Sequence, residues 1–164
     1  MEKDLVDDIL SQWSAEKPEL DTAALGVVIR VMTLCRAFSR DAAWALEPLG
    51  LELFEYDVLS ALRRQGRPFA LPATALARET GLSTGAMTNR IDRLEERGLV
   101  ERQADEADRR SVIVRLTASG RRAIDDALRV RLDAARDSLQ DLSHSELQQL
   151  AALLRSVVLS ADRD

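Results

Sequence analysis

From residue 72 to residue 117 the chain runs PATALARETGLSTGAMTNRIDRLEERGLVERQADEADRRSVIVRLT, and the spacing of its glycines, apolar residues and charges permits few folds. Leu76 is apolar between Ala73 and Thr80, as in a short helix. Gly81 then offers the positive φ that lets a chain leave one helix and turn sharply towards another. Ser83 or Thr84 can cap the second helix. Met87, Ile91 and Leu94 recur at steps of four and three, a stripe that must be buried, while Thr84, Gly85, Thr88, Asn89 and Asp92 fall on the other side. Gly98 stops this second helix.

Beyond it, Leu99–Arg102 and Ser111–Leu116 read as two short strands, the second alternating Val112, Val114 and Leu116 against Ser111, Ile113 and Arg115. Short helix, glycine turn, second helix and charged hairpin make a winged helix-turn-helix, so the expected fold is mainly α with a small β-wing. A face of small polar residues at a helix start suits a major groove, where Ser, Thr and Asn bond base edges or phosphates and Gly85 lets the backbone come close. Ser83, Thr84, Gly85, Thr88, Asn89 and Arg93 are the candidate DNA contacts of that helix. In the hairpin, Asp108 and Arg110 are two apart and share a face of an extended chain, so the carboxylate can brace the guanidinium as a minor-groove probe. Arg109 adds charge beside them. A solvated turn with a local ion pair is the plainer reading of the same residues.

The strings LARETGLSTGAMTNRIDRLEERGLVER and DEADRRSVIVRLTASGR together resemble the DNA-binding lobe of the multiple antibiotic resistance regulator (MarR) family. The helix pair, the D-x-R wing tip and the L-T-x-x-G-R exit occur in order over roughly a third of the chain. The resemblance implies a DNA-binding transcriptional regulator that needs no cofactor.

Composition fits that expectation. A chain of 164 residues, 46% hydrophobic, is sized for one globular domain with a real core. Aromatic residues make up only 4%, which favours packed helices over a sandwich. No apolar run approaches membrane-spanning length, and the acidic start MEKDLVDD is no signal peptide, so a cytoplasmic protein is expected. The net charge of −5 is unevenly spread. Residues 60–122 hold 13 Lys and Arg against 8 Asp and Glu, a local +5, and the remainder holds 10 against 20, or −10. Positive charge thus lies where the DNA lobe is read, and an acidic remainder repels DNA from other surfaces.

In chain order, Leu5, Val6, Ile9, Leu10 and Trp13 space a short amphipathic helix from about Asp4 to Ser14, with Pro18 beyond its end. Asp21 can cap a long helix to about Leu46 carrying Leu25, Val28, Met32, Cys35, Phe38 and Ala42, which Pro48 and Gly50 end. Glu52 opens a helix through about Gln65 with Leu53, Tyr56, Leu59 and Leu62 inside. GRPFALP reads as a loop, and Leu71 stands where family members typically carry a capping Thr or Ser. Thr117 caps a long helix with a seam of Ile124, Leu128, Leu132, Ala135 and Leu139. Ser143 and Glu146 are spaced as a capping box for a last helix with Leu147, Leu150, Leu154, Val157 and Val158. Apolar seams at both chain ends pack together, within one subunit or between two. The resemblance implies a two-fold homodimer built from these ends, with 1–46 and 118–164 as dimerisation helices and 52–117 as the DNA-binding lobe of a single 1–164 domain.

Enzymatic chemistry finds little support. Gly81-Leu82-Ser83-Thr84-Gly85 matches the nucleophile-elbow pattern, but that motif needs a preceding strand and a later acid and His, and here a helix precedes it. His144 is the only His, and with one Cys it is too little for a transition-metal site. Cys35 lies on the apolar stripe of the long helix and reads as a small buried hydrophobe; were it exposed, Arg36 and Arg40 could lower its pKa and make it a redox sensor.

Asp57 interrupts the apolar string LFEYDVLSAL, where a carboxylate is costly unless an Arg partners it. Arg90 flanks the buried stripe of the second helix and Arg102 leaves the first wing strand, so both can lie behind the DNA-reading face. These residues either tie that helix to its support or form a ligand pocket. The chain is similar to the PecS and urate-responsive branch of the MarR family, and by motif context Trp13, Asp57, Arg90 and Arg102 match that branch's ligand-binding Trp, Asp and two Arg. The resemblance implies that urate or a related purine anion releases a repressor from a pseudo-palindromic operator. A redox or phenolic-compound sensor on the same lobe, and a dimeric protein-interaction scaffold without specific DNA binding, are the alternative functions.

Overall fold

The computed structural model describes residues 2–105 and 111–161. The elements are α1 (Leu5–Glu16), α2 (Ala23–Leu46), a 3-10 turn (Glu47–Leu49), α3 (Leu53–Arg64), β1 (Ala70–Pro72), α4 (Ala73–Glu79), α5 (Thr84–Glu96), β2 (Val100–Ala104), β3 (Val112–Leu116), α6 (Ala118–Asp137) and α7 (His144–Ala161). They divide into two compact units, Met1–Asp41 and Ala42–Asp164. Among the described residues no helix is long and apolar enough to cross a membrane.

In the first unit Asp4 caps α1, its side chain accepting from the Asp7 amide while the Asp7 carboxylate accepts from the Asp4 amide. Arg30 of α2 grips both carboxylates, donating from Nε to Asp4 at 2.8 Å and from Nη2 to Asp7 at 2.7 Å. The hydrogen bond from Arg30 holds the Asp4 carboxyl below its ordinary range. Asp21 accepts from the Ala23 amide at the start of α2. Gly26 sits where a Cβ would come 2.7 Å from Leu10 Cδ1, so its missing side chain lets the two helices meet. Cys35 is exposed, not buried as a core hydrophobe. The reason lies in its neighbours: Val31, Met32 and Leu34 are themselves 44%, 56% and 46% exposed, so the stripe is left open among the described residues.

The second unit holds the main core. Val58, Leu59 and Leu62 of α3, Leu76 of α4, Met87, Ile91 and Leu94 of α5, Val100, Val114 and Leu116 of the sheet, and Ile124 of α6 are all buried together. Each such side chain contributes roughly 1.5–3 kcal/mol through removal from water. The α5 stripe is therefore where spacing placed it. Gly81 and Gly98 both take positive φ, at 66°, and Ser83 caps α5 by accepting from the Ala86 amide at 3.3 Å. The N-cap of α4 is Pro72 and not Leu71, which belongs to β1, and no side chain caps the helix.

GRPFALP is more than a loop. Ala70–Pro72 pairs antiparallel with β3, giving a three-stranded sheet of order β1-β3-β2 with Leu71 opposite Val114 and Arg102 opposite Val114 on the other side. The strand is three residues long and ends in a Pro, which has no amide to donate; only β3 makes it a strand.

After the wing, Thr117 caps α6 by accepting from the Gly120 amide at 3.0 Å, and its hydroxyl donates to the Gly98 carbonyl at 2.7 Å. Gly120 is buried so closely that a Cβ would fall 1.9 Å from the Leu99 carbonyl oxygen. The L-T-x-x-G-R exit is thus a dock: Thr117 and Gly120 pin the start of α6 onto the turn that ends α5. Further along, Ile124 is buried, whereas Leu128 and Leu132 are 40% and 56% exposed. The Ser143–Glu146 capping box forms at α7. Leu147, Leu153, Leu154, Val157 and Val158 along α7 all remain exposed.

Candidate nucleic-acid interface

The small polar face of α5 is open. Ser83, Thr84, Gly85, Thr88, Asn89 and Arg93 are all exposed, opposite Met87, Ile91 and Leu94. Ser83 spends its oxygen on the cap, and the Thr88 hydroxyl donates to the Thr84 carbonyl at 3.0 Å. Thr84 and Asn89 keep side-chain groups available for base edges or phosphates. Asp108, Arg109 and Arg110, expected at the wing tip, lie outside the described residues.

Behind that face α5 is fastened at its flank by Arg102. The Arg102 amide donates to Glu95 at 3.0 Å, its Nη1 to the other Glu95 oxygen and its Nη2 to Asp92. Burial works against its charge, but Glu95 and Asp92 overcome that and hold the guanidinium above its ordinary value. Arg102 therefore staples β2 to α5 and neutralises two carboxylates of that helix.

A second clamp lies just past the end of α5. Glu55 is the buried carboxylate of α3, 3% exposed, and it accepts from its own cap amide at Glu52 and from Arg97 Nη1. Arg97 Nη2 also donates to the Gly50 carbonyl at 2.9 Å. The requirement that a carboxylate in LFEYDVLSAL find an Arg is thus met at Glu55, by Arg97, a pair 42 residues apart that no local pattern reveals.

Asp57, two residues on, is different. It opens to solvent on one side, yet burial raises its carboxyl above the ordinary range, with Arg90, then Arg131 and Arg64, pulling the other way. Among the described residues it makes no ion pair within 4.0 Å. The Arg90 guanidinium lies over the Phe54 ring at 5.0 Å, with Arg93 at 5.8 Å from the same ring. Arg131 stands over Tyr56 at 5.6 Å, its buried Nε lacking a hydrogen-bond partner among the described residues. The structure thus sets Asp57 in the field of Arg90, while Arg102 is committed to Asp92 and Glu95. Trp13 belongs to the other unit, half exposed on α1. Sequence reasoning missed Arg131 because its position in α6 is unremarkable; the only signal was an Arg interrupting that helix's apolar side.

Two helices joined by a glycine turn, an open polar face on the second and a sheet stapled beside it define a winged-helix DNA-binding protein. A model of the MarR family matches residues 49–111. Over 152 residues the chain is 32% identical to the HTH-type transcriptional regulator PecS of Dickeya dadantii (strain 3937), covering 93% of this chain and 92% of that one. The protein belongs to the MarR family of transcriptional regulators, which are not enzymes. Its fold is similar to that of AbsC, a MarR family transcriptional regulator from Streptomyces coelicolor, with TM-score 0.80 at 22% identity over 88% of this chain and 98% of that one. It is also similar in fold to a mutant MarR from E. coli complexed with operator DNA, with TM-score 0.72 at 24% identity over 94% of this chain and 99% of that one.

Proposed function

We propose that this regulator is a cytoplasmic homodimeric repressor that leaves a pseudo-palindromic operator when urate or a related purine anion binds. The observation that carries the reading is the setting of Asp57: a carboxyl raised by burial, drawn towards Arg90 of the DNA-reading helix and Arg131 of α6, but ion-paired with neither. An entering anion takes Arg90 as its partner and repels Asp57, and either change moves α5. Arg102 acts by another route. An anion that draws it from Asp92 and Glu95 uncouples the wing and exposes two carboxylates on the helix that faces DNA. A displacement of about an ångström in α5 is enough to misalign both half-sites. Reciprocity then requires operator DNA to weaken ligand binding by the same factor.

The exposed apolar residues of α2, α6 and α7 support the dimer: a second copy buries them, and it sets two α5 helices in successive major grooves. The operator-bound MarR relative supports the DNA partner. The wing contribution rests on Asp108, Arg109 and Arg110, and Arg110→Ala is expected to abolish operator binding.

The test is a fluorescence titration with urate, xanthine and salicylate, alongside competition for a palindromic DNA from the protein's own upstream region. Quenching that saturates, disappears in Trp13→Phe and accompanies DNA release is the expected result. Operator binding indifferent to every purine would sink the effector reading and leave Asp57, Arg90 and Arg102 as structural ties. A second reading, a thiol-based sensor, rests on the exposure of Cys35; full oxidant response in Cys35→Ala would remove it.

A further inference from the structure

On the outer side of the wing sheet, at its base, three arginines line one cleft, none of them with an ion-pair or hydrogen-bond partner among the described residues. Val114 and Leu116 of β3 point into the core, so Arg115 between them points the other way. It borders a cleft of about 520 Å³ with Arg67 of the loop before β1, Phe69, and Arg121 from the first turns of α6. Among the described residues none of the three guanidiniums makes an ion pair or hydrogen bond, and the Arg115 Nε is buried with no acceptor. Among the described residues the one carboxylate on the cleft, Glu101, lies directly across the strands from Arg115 yet forms no ion pair with it. Arg63 and Arg121 stand over the Phe69 ring at 5.0 and 5.5 Å, so the aromatic surface is taken by cations. Arg63 is itself satisfied by Asp125 at 2.8 Å.

Guanidiniums repel one another, and a buried Nε–H without an acceptor is costly. A fold that gathers three of them around one concavity has left the balancing charge to something else. We propose that this cleft is a binding site for a phosphoryl-bearing anion, held by Arg67, Arg115 and Arg121 in forked hydrogen bonds. Three cations against one carboxylate favour a multiply charged occupant, and planar guanidiniums match phosphoryl oxygens in pairs. Because Phe69 is covered by the protein's own arginines, the occupant needs no aromatic ring. The site is separate from the Asp57 and Arg90 neighbourhood, and it stands whether or not a purine acts there. Its phosphoryl group comes either from a small free ligand or from the DNA backbone.

The experiment uses the full-length protein and inorganic pyrophosphate, with chloride adjusted to hold ionic strength constant. Pyrophosphate should raise the Tm saturably, by about 2–4 °C. The rise should vanish in the Arg115→Gln and Arg121→Gln double variant and persist in Arg122→Gln, a neighbouring exposed arginine outside the cleft. Arg67→Gln, on an exposed loop where folding is not at stake, should weaken pyrophosphate several-fold. In parallel, the salt dependence of operator binding is measured. If the double variant lowers the slope of log K against log salt by about 1–2, DNA phosphates fill the cleft; an unchanged slope assigns it to the free ligand. A pyrophosphate response that survives in the double variant overturns the site, and so does no response together with an unchanged slope.

Discussion

Gly120→Ala offers the sharpest test of how α5 is held. On helix propensity alone the change should help, since Ala in place of a helical Gly is worth about 1 kcal/mol. The structure predicts the reverse. A Cβ at Gly120 falls 1.9 Å from the Leu99 carbonyl oxygen and 2.9 Å from its carbon, and these are backbone atoms that cannot rotate aside. The start of α6 must retreat by more than an ångström to reach an ordinary contact. That retreat strains the Thr117 hydroxyl bonds to the Gly98 and Leu99 carbonyls, 2.7 and 3.2 Å long. Overpacking of this kind costs about 3 kcal/mol at the upper end, leaving a net loss of about 2 kcal/mol after the propensity gain. For a chain of this size the Tm should fall by about 4–8 °C in a thermal melt. Thr117→Val removes the cap and the same docking bonds, so its loss, about 1–2 kcal/mol, should be less than additive with that of Gly120→Ala. A Gly120→Ala protein as stable as the parent, or more so, would refute the docking argument.

Other perturbations test the remaining contacts. Arg97→Ala strands the buried Glu55 carboxylate and should cost about 2–4 kcal/mol in urea unfolding, the pair being half open at the Arg; pairing it with Glu55→Gln should recover much of that loss. Arg102→Ala should leave the core intact but weaken operator binding at least several-fold in a mobility-shift titration, because Asp92 and Glu95 then face DNA unneutralised. For Asp4 the folded carboxyl lies below its ordinary value, so its contribution to holding α1 is present above that value and is lost as pH falls through the folded one; in Trp44→Phe, Trp13 emission should change below about pH 4. Asp57 has the opposite sign. Its raised carboxyl makes ionisation a cost that is fully present above the folded value and is relieved as pH falls through it, so Asp57→Asn should be at least as stable as the parent at pH 7 and lose that advantage in acid.

What the sequence made legible is what depends on near neighbours. Met87, Ile91 and Leu94 are three and four apart, and their burial follows from helical period alone; Gly81, Gly98 and the Ser83 cap are similarly local. β1 escaped because three residues ending in Pro carry no strand signal until β3 is there to pair with them. The partner of Glu55 escaped because Arg97 is brought to it by the fold, not by spacing, and the expectation of a costly carboxylate fell on Asp57 instead. Cys35, Leu128 and Leu132 show a different limit. An apolar stripe says that something must cover it but not whether the cover belongs to the same chain, and in the single chain these residues stay exposed.

These contacts also bear on the proposal that an anion is the effector of this regulator. The core side of α5 is fixed by apolar packing, which a small solute cannot undo. Its flank and its C-terminal turn are held instead by Arg102 on Asp92 and Glu95 and by Arg97 on Glu55, and Arg90 sits nearby in the field of Asp57. The Arg102 and Arg97 restraints are guanidiniums held by carboxylates, for which an incoming anion competes directly, and Arg90, which makes no ion pair among the described residues, is open to one. In the proposed reading, Asp92 and Glu95, once released by an anion, stay covalently attached to α5 beside the DNA phosphates, so displacing Arg102 also adds repulsion where the operator is held. On the proposed function, the polarity of the response, ligand in and DNA out, follows from which partner of the Arg102 clamp sits on α5: it is the acid.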